Sequence, residues 1–413
     1  MVHVDDIHGR PIISARNSPH GAQSVGHMRL SARLYDDPKR AETIWRQLEQ
    51  DPLVPVHQTF DWCRAWAGRP GIASFVIVVS LDGLPAVLLP IEVVRRAGFR
   101  VAQFIGTAHS NCNSPIYSQA FRDQADAEIM AGLSDTLQAL PLPADILVLD
   151  KLRAGAGERA QPLLTLPHVA NQNDTFQLPL KGSMAATLQQ INAKRRRKKM
   201  RVSERRLAEI GGYRHLIADD AATATRLLDT FFEQKAVRLS RRGLRDVFAD
   251  AGVQTALRRL TAVQNGHQPP LQLHAIALGE SGGGPILAVA GLTEKDGHVI
   301  CQFGSVDDMT SPDVSAGELL FYRMIEQAAE AGHRVFDFGI GDQRYKRSWC
   351  PQTTGQADVF IALNARGRLA SALFGAKVRG KRLIKTTPAL HWIAAKLRSA
   401  TLRLKPNGAD PNA

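Results

Sequence analysis

Cysteine is scarce in this chain. Its four residues, Cys63, Cys112, Cys301 and Cys350, stand far apart and form no CxxC pair. A disulfide framework or zinc knuckle is therefore not expected, no metal is implied, and reduced cytosolic thiols are the simpler reading. Long apolar runs are also missing. No stretch of eighteen apolar residues occurs, whereas a membrane helix needs about 20. Residues 1–10 mix charges and lack the apolar segment of a secretory signal. These absences lead us to expect a cytoplasmic protein. Acidic residues are the minority, 39 Asp and Glu against 52 Lys and Arg, giving a net charge of +13 at pH 7. A positive field concentrates anionic partners, and phosphorylated small molecules, nucleic acid and an anionic membrane surface all qualify.

What is present is a globular pattern. A length of 413 residues with 44% hydrophobic residues suits two domains. Residues 1–28 lack periodicity and read as a flexible leader. Helices are expected over 38–49 and 60–67. A β-branched run, 74–80, reaches the turn signal Asp82-Gly83 and returns over 85–94. A strand over 100–105, a helix over 123–140 and a strand over 145–150 follow. The same order recurs: strands over 271–278 and 285–292, the turn Asp296-Gly297, a strand over 298–303, a helix over 316–331 and a strand over 334–338. This reads as an internal duplication, with helices over 183–210 and 219–236 between the copies. The expected organisation is a leader (1–28), two α/β domains (29–180 and 181–365) and a basic tail (366–413).

The densest chemistry lies between residues 298 and 349. The helix expected from 316 opens with Ser315, Ala316, Gly317 and Glu318, which fits a capping box with Ser315 as N-cap and Glu318 three residues on. A helix N-terminus after a strand presents free N–H groups and positive dipole, both suited to a pyrophosphate; most capped helices bind nothing. The segment 336–349, FDFGIGDQRYKRSW, follows a buried strand, and open α/β sheets place their sites at the carboxyl ends of strands. Here Asp337, Asp342, Tyr345 and Lys346 are either a reacting group or a loop cap with a solvated face.

Three weaker signals complete the reading. His57 and Asp61 match HxxxD, a spacing common by chance. Residues 193–201, AKRRRKKMR, are nearly all basic and read first as a solvated helix face. They lack interleaved aromatics, which argues against stacking on single strands, and nucleic acid is not the expected partner. Residues 359–409 contain no Asp or Glu. They are either helices lying on an anionic membrane or a helix docked on the fold.

The run FDFGIGDQRYKRSW resembles the DFGRGDxxYK signature of GNAT-fold acyltransferases of the CelD/BcsL type, associated with cellulose and exopolysaccharide biosynthesis and distantly similar to FemAB-type transferases. SAGELL (315–320), HQTFDWCRAW (57–66), LLPIEV (88–93) and RLSRRGLRDVF (238–248) are further points of similarity. Ala316 stands where the signature has proline, and Ile340 where it has arginine. The resemblance implies tandem GNAT-like domains and attack of an amine or hydroxyl on a thioester. The implied donor is acetyl-CoA or another acyl-CoA, and the acceptor a sugar, polysaccharide precursor or small amine. It places the donor against Phe303, Gly304, Ser315, Ala316 and Gly317. Asp337 and Asp342 become candidates for base or orienter, Tyr345 for the acid that protonates the thiolate, and Lys346 for a substrate or phosphate contact. Two other readings stay open: a FemAB-like transferase using aminoacyl-tRNA, and a non-catalytic accessory of a polysaccharide synthase, with the tail holding either at the inner face of the membrane.

Overall fold

The computed structural model describes residues 29–154, 161–262, 269–307, 309–311 and 313–387. The expected leader and the tail beyond 387 lie outside the described residues. The chain forms two compact units whose sequences interleave. One comprises residues up to Ala108, Asn113–His168 and Ala357–Gly375; the other comprises His109–Cys112, Val169–Gln356 and the residues from Ala376. The sequential boundaries expected above, 29–180 and 181–365, do not follow this division.

In the first unit, β1 (Leu30–Tyr35) precedes two short helices, α1 (Glu42–Leu48) and α2 (Phe60–Trp66). A meander follows, β2 (Ala73–Leu81), β3 (Leu84–Arg96) and β4 (Phe99–Phe104), then β5 (Ile116–Tyr117), α3 (Gln119–Gln124), α4 (Ala127–Gln138), β6 (Ile146–Arg153) and β7 (His168–Ala170). The sheet order is β1-β2-β3-β4-β6, then the strand Gln356–Ala362, then β7, with β5 paired to β3. Asp82 and Gly83 have φ of 50° and 84°, the left-handed pair that a two-residue hairpin demands. The turn at Ala97 and Gly98 (φ 50° and 82°) is built alike. Met130, Leu133 and Leu137 of α4 bury against Ile77, Val79, Leu89 and Phe104. Against another cluster, Val101, Ile146 and Val148, the helix beginning at Ala365 buries Ala370 and Phe374. The first part of the tail is therefore a docked helix.

The second unit starts with β8 (Thr175–Pro179), α5 (Met184–Leu188), α6 (Ala193–Ala208), β9 (Tyr213–Ile217), α7 (Ala221–Arg241) and α8 (Ala251–Thr261). It continues through β10 (Gln272–Leu278), β11 (Ile286–Lys295), β12 (His298–Val306), α9 (Ala316–Glu330), β13 (Val335–Ile340), α10 (Arg344–Trp349) and β14 (Gln352–Thr354); of the closing helix α11 (Ala365–Thr386), the residues up to Gly375 belong to the first unit. Its seven strands run β14-β8-β13-β12-β11-β10-β9. The turn at Asp296 and Gly297 has φ of 50° and 71°. Leu319, Leu320, Met324 and Ile325 of α9 bury against Ala288, Ala290 and Leu292 of β11. Phe231 of α7 meets the ring of Phe303 at 4.1 Å.

Candidate active site

The site is built by a parting of strands. β12 and β13 pair in parallel only over His298–Ile300 and Val335–Asp337, yet β12 runs on to Val306 and β13 to Ile340. Just past the last pair, Gly291 of β11 faces Phe303 while Leu292 faces Cys301, so Gln302 is an extra residue in β12. Such a bulge bends a strand and ends its pairing. The bulge and the parting coincide, and the strands separate there.

Asn111 bridges the opening. Its Nδ2 donates to Gln302 Oε1 at 2.8 Å, and the Ile340 N–H donates to its Oδ1 at 3.1 Å. Gly339 has φ of 69°, and a Cβ on it would lie 2.4 Å from Asn111 Oδ1. Both the backbone and the contact require glycine there.

Asp337 is buried at 2% exposure. Its Oδ1 accepts from the Gly339 N–H at 2.7 Å, and its Oδ2 accepts from Gln177 Nε2 at 2.8 Å and lies 3.2 Å from His298 Nε2. Burial opposes its charge, but His298, Gln177 and the Gly339 N–H outweigh it and hold the carboxyl below the usual aspartate value. Buried Lys346 donates from Nζ to the Ile340 carbonyl at 2.6 Å, and burial lowers its pKa. Tyr345 stacks on Phe321 at 5.3 Å and lies 6.1 Å from Phe338. It keeps 37% of its surface exposed, and its hydroxyl makes no hydrogen bond among the described residues. Burial still pushes its phenol upward, so it stays protonated. Cys301 lies within electrostatic reach of Lys346, Lys235 and Asp337, and burial pushes its thiol up to about 11.

Asp337, Tyr345 and Lys346 thus converge on the parted strands. Asp342 does not join them: both of its oxygens go to Arg347, which is exposed. Phe303 and Gly304 lie on β12 beyond the bulge. Phe303 turns into an aromatic cluster with Phe231 and Phe248, so its side chain is core.

The entry of α9 corrects one expectation. Ser315 is the N-cap residue, but its side chain makes no capping bond. Glu318 instead pairs with Arg196 and, at 3.5 Å, with Lys199. Arg196 is buried, donates to Ser348 Oγ at 2.6 Å and lies 4.0 Å from the Trp349 ring. One residue of the basic run is therefore an internal strut rather than a solvated face. Ser315 is exposed, Ala316 buried and Gly317 half-buried. A Cβ on Gly317 would sit 2.8 Å from Val306 Cγ2. With no side-chain cap, the first-turn N–H groups of α9 keep no intrahelical partner. That arrangement fits the phosphates of a donor.

In the first unit, β4 and β6 part in the same way after Gln103 and Val148. There the protein's own polar groups fill the space. Thr107 Oγ1 donates to Asp150 Oδ1 at 2.7 Å, Asn113 Nδ2 donates to Thr107 Oγ1 at 2.9 Å, and Gln58 Nε2 donates to Asn113 Oδ1 at 3.0 Å. His57 is buried edge-on to Trp62, and Asp61 pairs with Arg46 at 2.9 Å, so the HxxxD spacing assembles no dyad.

Residues 194–347 match the family model described as an acetyltransferase (GNAT) domain. No curated protein matches the chain in sequence. Among solved structures, FemX is similar with a TM-score of 0.55 at 13% identity, over 82% of this chain and 98% of that one. The C-terminal domain of a putative lysylphosphatidylglycerol synthetase from Agrobacterium fabrum is similar with a TM-score of 0.50 at 12% identity, over 83% and 97%. A tandem GNAT protein from the clavulanic acid biosynthesis pathway reaches 0.43 at 11% identity, over 82% and 99%. The match over 194–347 takes in the parted strands and the helix after them: this stretch of the chain is similar to an acetyltransferase (GNAT) domain, in a protein of mixed α/β construction.

Proposed function

We propose that the second unit transfers an acyl group from acyl-CoA, with acetyl-CoA the first candidate, to an amine or hydroxyl of a sugar, polysaccharide precursor or small amine. The observation that carries this is the parting of β12 and β13 after Ile300 and Asp337, with an uncapped helix entry beyond it. The thioester arm lies between the strands, and the donor's phosphates meet the N–H groups at Ser315, Ala316 and Gly317. Positioning supplies most of the rate. The acceptor's lone pair attacks the thioester carbonyl, the C–S bond breaks, and Tyr345 gives its phenolic proton to the leaving thiolate. The proton lost by the acceptor restores the phenol through solvent. Asp337 and Lys346 position the 337–346 loop. Asp342 is held by Arg347 and takes no part in the step. In the first unit Thr107, Asn113 and Asp150 fill the corresponding gap, so only one donor site is proposed.

Asn111 favours a second reading. Its amide spans the gap that an acyl-CoA arm would enter, so a donor of another shape, an aminoacyl-tRNA, is the alternative. A role in exopolysaccharide or cellulose biosynthesis, at the inner face of the membrane, rests on the signature alone. A thermal-shift titration of the intact protein with acetyl-CoA, longer acyl-CoAs and tRNA separates the donors. Ligand at 100 times its dissociation constant adds about 2.7 kcal/mol, an easily measured shift. Stabilisation by tRNA and by no CoA species would overturn the leading reading.

A further inference from the structure

The second unit carries a groove of about 370 Å³ beside the donor cleft, between the end of α7 and the end of β12. Arg238, Arg241 and Arg242 line it from one side, Asp307 and Met309 from the other. None of the three guanidinium groups makes a hydrogen bond or an ion pair at contact distance among the described residues, and only Arg241 lies within electrostatic reach of Asp307. The facing carboxylate of Asp307 is already engaged by Thr310 and by the Met309 N–H at 2.8 Å. Glu233 is the other acidic group on the lining, so three cations face two anions, one of them committed. On the same helix, burial lowers the pKa of Lys235, and Arg238 and Arg242 lower it further. Arg238 is also within electrostatic reach of Tyr345, which joins the groove to the reacting end of the cleft. Val237 at 51% and Met309 at 65% exposure add apolar surface to the same lining.

Three arginines lining one groove repel one another until an anion sits among them, and their planar forks match phosphate oxygens. The groove lies on the α7 side of the sheet, whereas the donor's phosphates are assigned to α9. We propose that this groove is the acceptor's subsite: it takes an acceptor that is a phosphate ester, the phosphate held by Arg238, Arg241 and Arg242 and the neighbouring apolar part lying on Val237 and Met309. This rests on the acyl-transfer reading of the cleft and narrows its acceptor class.

Calorimetric titration of the full chain tests it with four probes: inorganic pyrophosphate, a hexose 1-phosphate, a short prenyl monophosphate and CoA. Arg241 and Arg242 are exposed, so Arg241→Ala with Arg242→Ala leaves the core intact, and a matching unfolding temperature checks this. We expect at least one phosphate ester to bind the wild type and to bind the double alanine variant at least tenfold more weakly. CoA affinity should change less than twofold, and the double lysine variant should fall between. A preference for the hexose ester makes the acceptor a sugar phosphate; a preference for the prenyl ester makes it a lipid phosphate. Absence of binding by every ester, equal binding to the alanine variant, or a parallel tenfold loss of CoA affinity would each overturn the assignment. The last result would give the groove to the donor. Failure of CoA to bind the wild type is a separate outcome: it sinks the acyl-CoA reading and the acceptor role with it.

Discussion

Asp337 keeps its charge inside the protein because three donors surround it. Its folded-state pKa lies below the ordinary value, about 3.9 for aspartate. Its contribution to stability is therefore complete above that value and is lost as pH falls through the lower folded value. We predict that the urea midpoint of the wild type falls more steeply below about pH 4 than that of Asp337→Asn. Parallel acid curves would remove the carboxylate from this role. Tyr345→Phe belongs at the same scale. It removes a hydroxyl that bonds to nothing in the described protein, so unfolding should barely move, while turnover should drop about 10²-fold or more, the range for a lost proton donor. Unchanged turnover would leave Tyr345 as an aromatic spacer between Phe321 and Phe338. Arg196 differs. Removing one partner of a buried ion pair costs about 3–5 kcal/mol, and Lys199 beside Glu318 puts Arg196→Leu near the lower end, read from chemical denaturation. Residue types were legible at this scale and partners were not. Asp337 stood out in the sequence, but Gln177 is 160 residues away and His298 is 39; only the sheet brings them together.

At the scale of elements, local chemistry carried the reading far. Asp82-Gly83 and Asp296-Gly297 announce hairpins because their residues tolerate the left-handed region. The turn at Ala97-Gly98 had no such signal, since alanine seldom takes a φ of 50°. The parting of β12 and β13 was equally hidden, because a bulge at Gln302 is a matter of register. The capping box at α9 failed for a physical reason: Glu318 gains more from the Arg196 guanidinium than from a backbone N–H. That leaves Gly317 with two possible duties, packing and phosphate approach, which one pair of variants separates. Gly317→Ala puts a methyl against Val306 Cγ2 and should lower the melting temperature. Adding Val306→Ala should restore it if the glycine serves packing. We predict that CoA affinity stays low in the double variant, because the methyl still blocks the helix entry. Recovery of both quantities together would assign Gly317 to packing alone.

For the molecule as a whole, the expected α/β character and the repeated strand–turn–strand–helix–strand order are visible in both units. The domain boundaries were not legible, because nothing local marks a strand as belonging to a sheet begun more than three hundred residues earlier. Among the described residues no helix is long and apolar enough to cross a membrane. Cutting the chain after Asn364 removes Ala370 and Phe374 from their contacts with Val101, Ile146 and Val148. Losing one buried phenylalanine costs about 3–5 kcal/mol, so we predict that this truncation gives aggregated or protease-sensitive protein. Ending the chain at 387 keeps those contacts. The same shorter chain tests the basic tail. If residues 388–413 hold the protein on anionic vesicles, each Lys or Arg contributes about 1 kcal/mol there, and the shorter chain should fail to co-sediment at low salt. Equal sedimentation of both forms would remove the tail as an anchor.

The strand Gln356–Ala362 takes its place next to β6 in the first sheet, and this sets a timetable. On the ribosome β6 is finished some two hundred residues before its neighbour exists. At about 5–20 residues per second, that is a wait of roughly 10–40 s. During it β6 offers an open row of backbone donors and acceptors to any passing strand. The first half of the chain to be made is thus the last to close. Nascent chains arrested before residue 356 should be cut readily by protease within 30–154, and resistance should appear only once 375 has cleared the exit tunnel.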